Sequence, residues 1–96
     1  MSLIEEHRQI WVDAGFTIED AGEFNRAAVK VVDGIAFYVS DLDGIDVATP
    51  QGDCMVLAFD PDTLEYLNFG TQLIGLEATD LALPELARLV HGGAEA

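Results

Sequence analysis

The chain is short of positive charge. Of its 96 residues only Arg8, Arg26, Lys30 and Arg88 are basic, against 18 Asp and Glu, for a formal net charge of −14. From Lys30 to Arg88 no other Lys or Arg occurs, while the same stretch holds Asp33, Asp41, Asp43, Asp46, Asp53, Asp60, Asp62, Glu65, Glu77, Asp80 and Glu85. Four scattered cations exclude nucleic acid as a direct ligand, since tight binding to a phosphate backbone uses about 6–10 contacts. Anionic lipid surfaces are disfavoured for the same reason. The complementary partner is a basic protein surface, the basic groove of a nucleic-acid-binding protein included.

Cysteine is nearly absent too. Cys54 is alone, which excludes an intramolecular disulfide and a thiolate cluster for zinc. Beside Asp53 in an apolar strand, its thiol pKa is expected to rise, the reverse of what a nucleophile needs. No apolar run approaches the roughly 20 residues that cross a bilayer. The opening Met1-Ser2-Leu3-Ile4-Glu5-Glu6 has no basic segment leading into an apolar one, so no secretory signal is read and a cytoplasmic location is expected. No Gly-rich phosphate loop and no Ser/Cys–His–acid arrangement occur, so neither a cofactor nor an enzymatic activity is expected. His7 reads as a boundary residue of a helix, and His91 as a helix C-terminal residue favoured by the dipole.

What is present is a core. Half the residues are apolar, enough for one small domain without metal or disulfide staples. Residues 1–91 read as that domain and 92–96 as a frayed tail. Ser2 and Glu5 form a capping-box pattern for a first helix, whose apolar stripe is Leu3, His7, Ile10 and Ala14 flanked by Ile4 and Trp11. Gly15 suits its left-handed end, with Phe16 folding back.

From Phe16 onward the period is that of strands, punctuated every eight to ten residues by turn signals. These are Asp20-Ala21-Gly22, the hairpin pair Asp33-Gly34, a second pair Asp43-Gly44, and Pro50-Gln51-Gly52-Asp53. Strands are expected at Thr17-Ile18, Phe24 to Val32, Ile35 to Val39, Ile45 to Thr49 and Cys54 to Phe59. Asp60-Pro61-Asp62-Thr63 reads as a turn into a strand at Leu64 to Phe69 ended by Gly70, with a short helix capped by Asp60 as the competing reading. A further strand at Leu73 to Leu76 and a short helix opening at Pro84 complete the chain. The fold class is α+β: an N-terminal helix, an antiparallel, mostly meander sheet of four to six strands, and a short C-terminal helix.

Two features carry function. Val29 to Val32 and Met55 to Phe59 are apolar on both faces of their strands, so both faces need cover, from the helices, another subunit or a target. The acids concentrate in Asp41, Asp43, Asp46 and again in Asp60, Asp62, Glu65. With a strand at Ile45–Thr49 between them, the two acidic turns fall at one end of the sheet and make a single acidic edge. Asp is also a common turn residue for local reasons, so the missing Lys and Arg are the stronger signal. A calcium loop is excluded by spacing. Counted from Asp41, Gly44 falls fourth and Gly52 twelfth, where an EF-hand needs Gly sixth and Glu twelfth, so no metal is expected. Tyr38 and Tyr66 are candidate anchors, because tyrosine is enriched among interface hot spots.

The expected function is therefore non-catalytic protein binding, as an inhibitor whose acidic edge blocks a basic, nucleic-acid-binding surface. Asp41, Asp43, Asp46, Asp60, Asp62, Glu65, Tyr38 and Tyr66 are its candidate contacts. In composition and size the chain resembles nucleic-acid mimics such as anti-restriction and anti-CRISPR proteins, and nuclease-immunity proteins behave in the same way. A self-associating assembly subunit is the second reading, and a small enzyme accessory domain the third.

Overall fold

The computed structural model describes residues 3–20 and 26–93. In chain order they form α1 (Leu3–Asp13), β1 (Thr17–Asp20), β2 (Arg26–Val32), β3 (Ile35–Ser40), β4 (Asp53–Phe59), β5 (Tyr66–Ile74) and α2 (Leu76–Gly93). The strands make one antiparallel sheet in the order β1-β2-β3-β4-β5, each beside its neighbour in sequence. This is the α+β meander that the turn spacing predicts. The Ser2 cap, the turn at residues 21–22 and the strand start at Phe24 lie outside the described residues.

Local chemistry explains the sharpest corners. Gly15 has φ +99°. Its N–H donates to Val12 O, and that of Phe16 to Trp11 O, the pair of bonds that closes a helix through a left-handed residue. Phe16 then meets Trp11 edge to face at 5.0 Å. Asp33 and Gly34 both have positive φ, 51° and 80°, the two-residue hairpin whose twist matches its strands.

Register divides the sheet into two unlike faces. Ala28 pairs with Val39 and Val39 with Val56, while Phe37 faces Ala58 and Cys54 faces Leu73. These residues share one face and one core cluster with Trp11 and Phe16 and with Leu83, Leu86 and Ala87 of α2. Ala27, Val29 and Ala36, on the alternate parity, are buried but lie outside that cluster. Both helices therefore cover the same face, and among the described residues no helix covers the other.

α1 is rotated from its expected stripe. Trp11 is wholly buried and donates its Nε1–H to Ala48 O at 2.8 Å, whereas Ile10 is 46 % exposed. The inner side is His7, Arg8, Trp11 and Ala14. The bulkiest side chain, with a polar atom to satisfy, sets the helix rotation.

Lys30 ties the two helices to the sheet. Its Nζ donates to Asp80 Oδ1 of α2 at 2.8 Å and to Ala14 O at the end of α1 at 3.2 Å, and lies 5.0 Å from the Phe16 ring centre.

Three expected elements differ. Residues 45–49 are loop, because Asp41 N–H donates to Asp46 O, Val47 and Ala48 bury in the core, and the Ala48 carbonyl is taken by Trp11. The loop's one backbone bond to a strand among the described residues is Ile45 O accepting the Arg26 N–H of β2 at 2.9 Å, too little to make a ladder. The strands expected at 64–69 and 73–76 are one, β5. Gly70 does not end it: a Cβ there would stand 2.9 Å from Leu57 Cδ2, so glycine permits a close cross-strand approach.

α2 opens at Leu76 rather than Pro84. Leu76 N–H donates to Pro50 O and Thr79 N–H to Gly75 O, which anchors the first turn upstream of the proline. Pro84 lies inside the helix on an exposed side. The helix continues through Gly93, so the expected tail is helical at Gly92–Gly93, and residues 94–96 lie outside the described ones.

Among the described residues one buried side-chain oxygen makes no full hydrogen bond. Thr79 is fully buried on α2, and its Oγ1 makes no hydrogen bond of acceptable geometry. The Cys54 thiol, close enough to feel that hydroxyl, is a weak partner. An unsatisfied buried hydroxyl costs about 1–3 kcal/mol. Thr79→Val keeps the shape and removes the cost. It is expected to raise the melting temperature by several degrees, since about 1 kcal/mol moves a domain of this size by about 4–8 °C. A lowered melting temperature in a calorimetric scan refutes this account of Thr79.

Candidate functional site

The uncovered face of the sheet is apolar and aromatic at its centre. Met55, Leu57 and Phe59 alternate along β4 on that side, beside Ala36 and Tyr38 of β3 and Val29 and Val31 of β2. Tyr38 lies against Phe59 at 4.7 Å between ring centres, and Phe59 against Tyr66 at 5.5 Å. The three rings cross β3, β4 and β5 as one diagonal run, the geometry in which cross-strand aromatic pairs stabilise each other. The outer positions are open to solvent: Val31 is 57 % exposed and Tyr66 48 %. A shallow depression of about 200 Å³ lies beside the run, between Tyr38, Leu57 and Phe59 and the β3–β4 loop at Gly44, with Arg26 at its margin.

Acids stand around this centre. Glu19 on β1 and Asp53 on β4 take the same parity as the open face. The two acidic groups of the loops, however, are not neighbours. β3 runs toward the loop 41–52 and β4 runs back from it, so the turn 60–65 shares its end of the sheet with Asp33-Gly34. Asp41, Asp43 and Asp46 are at the opposite end, a strand length or roughly 20 Å away. The single acidic edge of six carboxylates does not form. The cause is the missing strand at 45–49, since one strand fewer reverses the end at which every later turn falls.

The six acids also differ in what they do. Asp60 Oδ1 accepts the backbone N–H groups of Asp62 and Thr63 at 2.8 and 3.1 Å. Those bonds hold its carboxyl below the usual carboxylate range. Asp41 Oδ1 accepts the Ile45 N–H at 3.0 Å. Asp46 is paired with Arg8 of α1, Nε to Oδ1 at 3.2 Å, and also accepts the Val47 N–H at 2.7 Å. Partial burial pushes its pKa up, but the Arg8 and Val47 hydrogen bonds outweigh this and the net shift is downward. These three build loops. Asp43, Asp62 and Glu65 are exposed, and among the described residues none of them is in an ion pair.

The cations, by contrast, are engaged. Arg8 meets Asp46, Lys30 meets Asp80 and Arg88 meets Glu85. Little positive charge remains to offset the exposed acids.

Phe59, Met55 and Leu57 belong to the candidate surface although the strand's composition suggests plain core. Alternation could have found them. Cys54, Val56 and Ala58 share one side, which sends the other three to the other. Cys54 is buried, and burial, with Asp53 adding to it, pushes its thiol pKa up.

A depression of about 460 Å³ lies between Ile10, Pro50, Ile74 and Leu76 at the start of α2. The groups with displaced pKa values, Asp46, Cys54 and Asp60, line neither depression. Among the described residues no three His, Cys, Asp or Glu converge as metal ligands, and no helix is long and apolar enough to cross a membrane. Compared with family models, curated proteins and solved structures, the chain finds no match.

Proposed function

We propose that this protein is a non-catalytic binding module that seats a basic protein surface, of the kind that holds nucleic acid, on its uncovered sheet face and so blocks it. The observation that carries the reading is the Tyr38–Phe59–Tyr66 run on a face that, among the described residues, no helix covers. Exposed acids stand at both ends of the sheet. A desolvated aromatic centre with a charged, wet rim is how specific protein interfaces are built. The centre supplies affinity, and the acids supply orientation and the choice of a basic partner. The partner implied has an apolar middle flanked by two basic margins, rather than one basic edge.

The experiment is affinity capture from the cell that makes the protein, at low and moderate salt, with the partner's charge and its competition by nucleic acid as readouts. Reversing Asp43, Asp62 and Glu65 to Lys is the informative variant, because these side chains hold no turn. Reversal of Asp41 or Asp60 would disturb loop geometry as well. The triple variant is expected to keep its circular dichroism and to lose capture of the basic partner, with association slowed at least tenfold. Full capture by that variant, unchanged by salt, would falsify the charge-selected reading.

A further inference from the structure

The two edges of the sheet are built differently. β1 is four residues long and carries Glu19 and Asp20, the short, charged form in which proteins guard an edge. β5 is nine residues, Tyr-Leu-Asn-Phe-Gly-Thr-Gln-Leu-Ile, with no charged residue and no proline. In a chain of net charge −14, that is a long uncharged strand at the place where charge is most useful against unwanted pairing. No residue of β5 is fully buried, and among the described residues no strand pairs with its outer edge.

Its hydrogen-bonding phase is fixed. Gly75 N–H donates to Gly52 O at 2.9 Å, and the register continues as Leu73 with Cys54 and Thr71 with Val56. Antiparallel residues bond inward and outward alternately. Thr71 and Leu73 thus bond to β4, while Gly70, Gln72 and Ile74 point their N–H and C=O groups away from the sheet. Among the described residues, none of these three makes a backbone bond to another segment outside the ladder.

The helix above this edge is compatible with a neighbour. Asp80 bonds Lys30 of β2, and His91 Nε2 meets Asp33 O of the β2–β3 turn at 2.8 Å. Those contacts turn one flank of α2 toward β2. At 100° per residue the opposite flank, above the β5 edge, holds Ala78, Ala82 and Leu89, with Glu85, paired to Arg88, at its outer margin. Apart from that ion pair it is apolar and mostly small.

We propose that β5 pairs with β5 of a second copy of this chain, antiparallel about a two-fold axis at Gln72, joining two five-stranded sheets into one of ten strands. Centred there, Gln72 pairs with Gln72 and Gly70 with Ile74, so all three outward residues bond and the Asn68 irregularity at φ 57° stays outside the ladder. The occupant is selected by charge. Repulsion between two acidic copies is least along an uncharged surface, and β5 is such a surface and is complementary to itself under two-fold symmetry. A basic partner would gain nothing from an edge without acids. The pairing stands apart from the use of the open face and is tested without any target.

Salt gives the first sign. Screening shortens from about 10 Å at 0.1 M to about 3 Å at 1 M, so self-association is expected to tighten with salt, opposite to the charge-selected binding proposed above. Sedimentation velocity over a wide protein concentration range, at both salts, reads the shift from 10.4 kDa to twice that mass. Gln72→Pro removes an outward N–H but no bond to β4, and is expected to weaken dimerisation at least about 30-fold with circular dichroism retained. In case that proline perturbs the strand, Gln72→Cys is a second readout. It is expected to form a disulfide-linked dimer on mild oxidation, whereas Thr71→Cys, paired with Leu73 of the other copy, forms far less. A protein that stays monomeric at millimolar concentration in 1 M salt overturns the proposal. So does a dimer that Gln72→Cys fails to link and Val31→Lys on the open face dissolves.

Discussion

Trp11→Ala is expected to lose about half or more of the folding free energy, the largest effect of any single change in this protein. Removing a large buried aromatic costs about 3–5 kcal/mol. Here the substitution also strips the donor from the buried Ala48 carbonyl, which Trp11 Nε1–H meets at 2.8 Å. An orphaned polar group adds about 1–3 kcal/mol. A domain of this length is stable by only about 5–14 kcal/mol. The same side chain packs edge to face on Phe16 and, through Ala48, holds the loop 41–52 against α1, so three segments loosen together. Urea denaturation followed by far-ultraviolet circular dichroism measures the loss. Trp11→Phe divides it, since that variant keeps most of the ring packing and lacks the hydrogen bond. A Trp11→Ala protein with a wild-type urea midpoint would show that the loop and helix are held by something else.

Removing Tyr38 and Tyr66 together, each to Ala, is expected to weaken target binding at least 100-fold while leaving the fold in place. Both lie on the uncovered face outside the core cluster. Hot-spot residues in a desolvated interface centre contribute about 2 kcal/mol or more each, so the pair exceeds what a few rim charges supply. The comparison with the triple Lys variant decides which part of the surface does what. Loss of the tyrosines is expected to quicken dissociation, and reversal of the rim acids to slow association and flatten the salt dependence. If the double Tyr variant binds its captured partner as tightly as the wild type, the open face is not the docking surface. Phe59 is the less useful probe, since its ring supports both tyrosines.

Much of the fold is legible in local chemistry. Gly15 with Phe16 and the Asp33-Gly34 hairpin are each read from two adjacent residues, because a left-handed φ is a local constraint, whereas β4 is apolar at every position from Cys54 to Phe59 and its alternation is seen only in burial. The failures share a cause. Residues 45–49 have strand composition, but Val47 and Ala48 enter the core and Trp11, 37 positions away, takes the Ala48 carbonyl. α2 begins at Leu76 because its first turn is held by Pro50 O, a contact with no trace in the residues of the helix itself. The acidic edge then failed as a consequence. Ends of a meander alternate, so an error of one strand moves the turn 60–65 from beside Asp41–Asp46 to the far end of the sheet.

The acidic bias is a matter of sequence alone. No packing can create or remove a net charge of −14, and the absence of Lys and Arg between Lys30 and Arg88 holds in any fold. So does the doubly apolar character of β2 and β4, which demands cover on both faces. Tertiary structure decided where these properties are expressed. It set both helices on one face, because Trp11, Leu83, Leu86 and Ala87 join one core, and it left the aromatic run open. It engaged Arg8, Lys30 and Arg88 in ion pairs, tied Asp41, Asp46 and Asp60 into loops, and left Asp43, Asp62 and Glu65 exposed. Charge is a sum over residues, indifferent to their order in space. A surface depends on which residues the long-range contacts bring together.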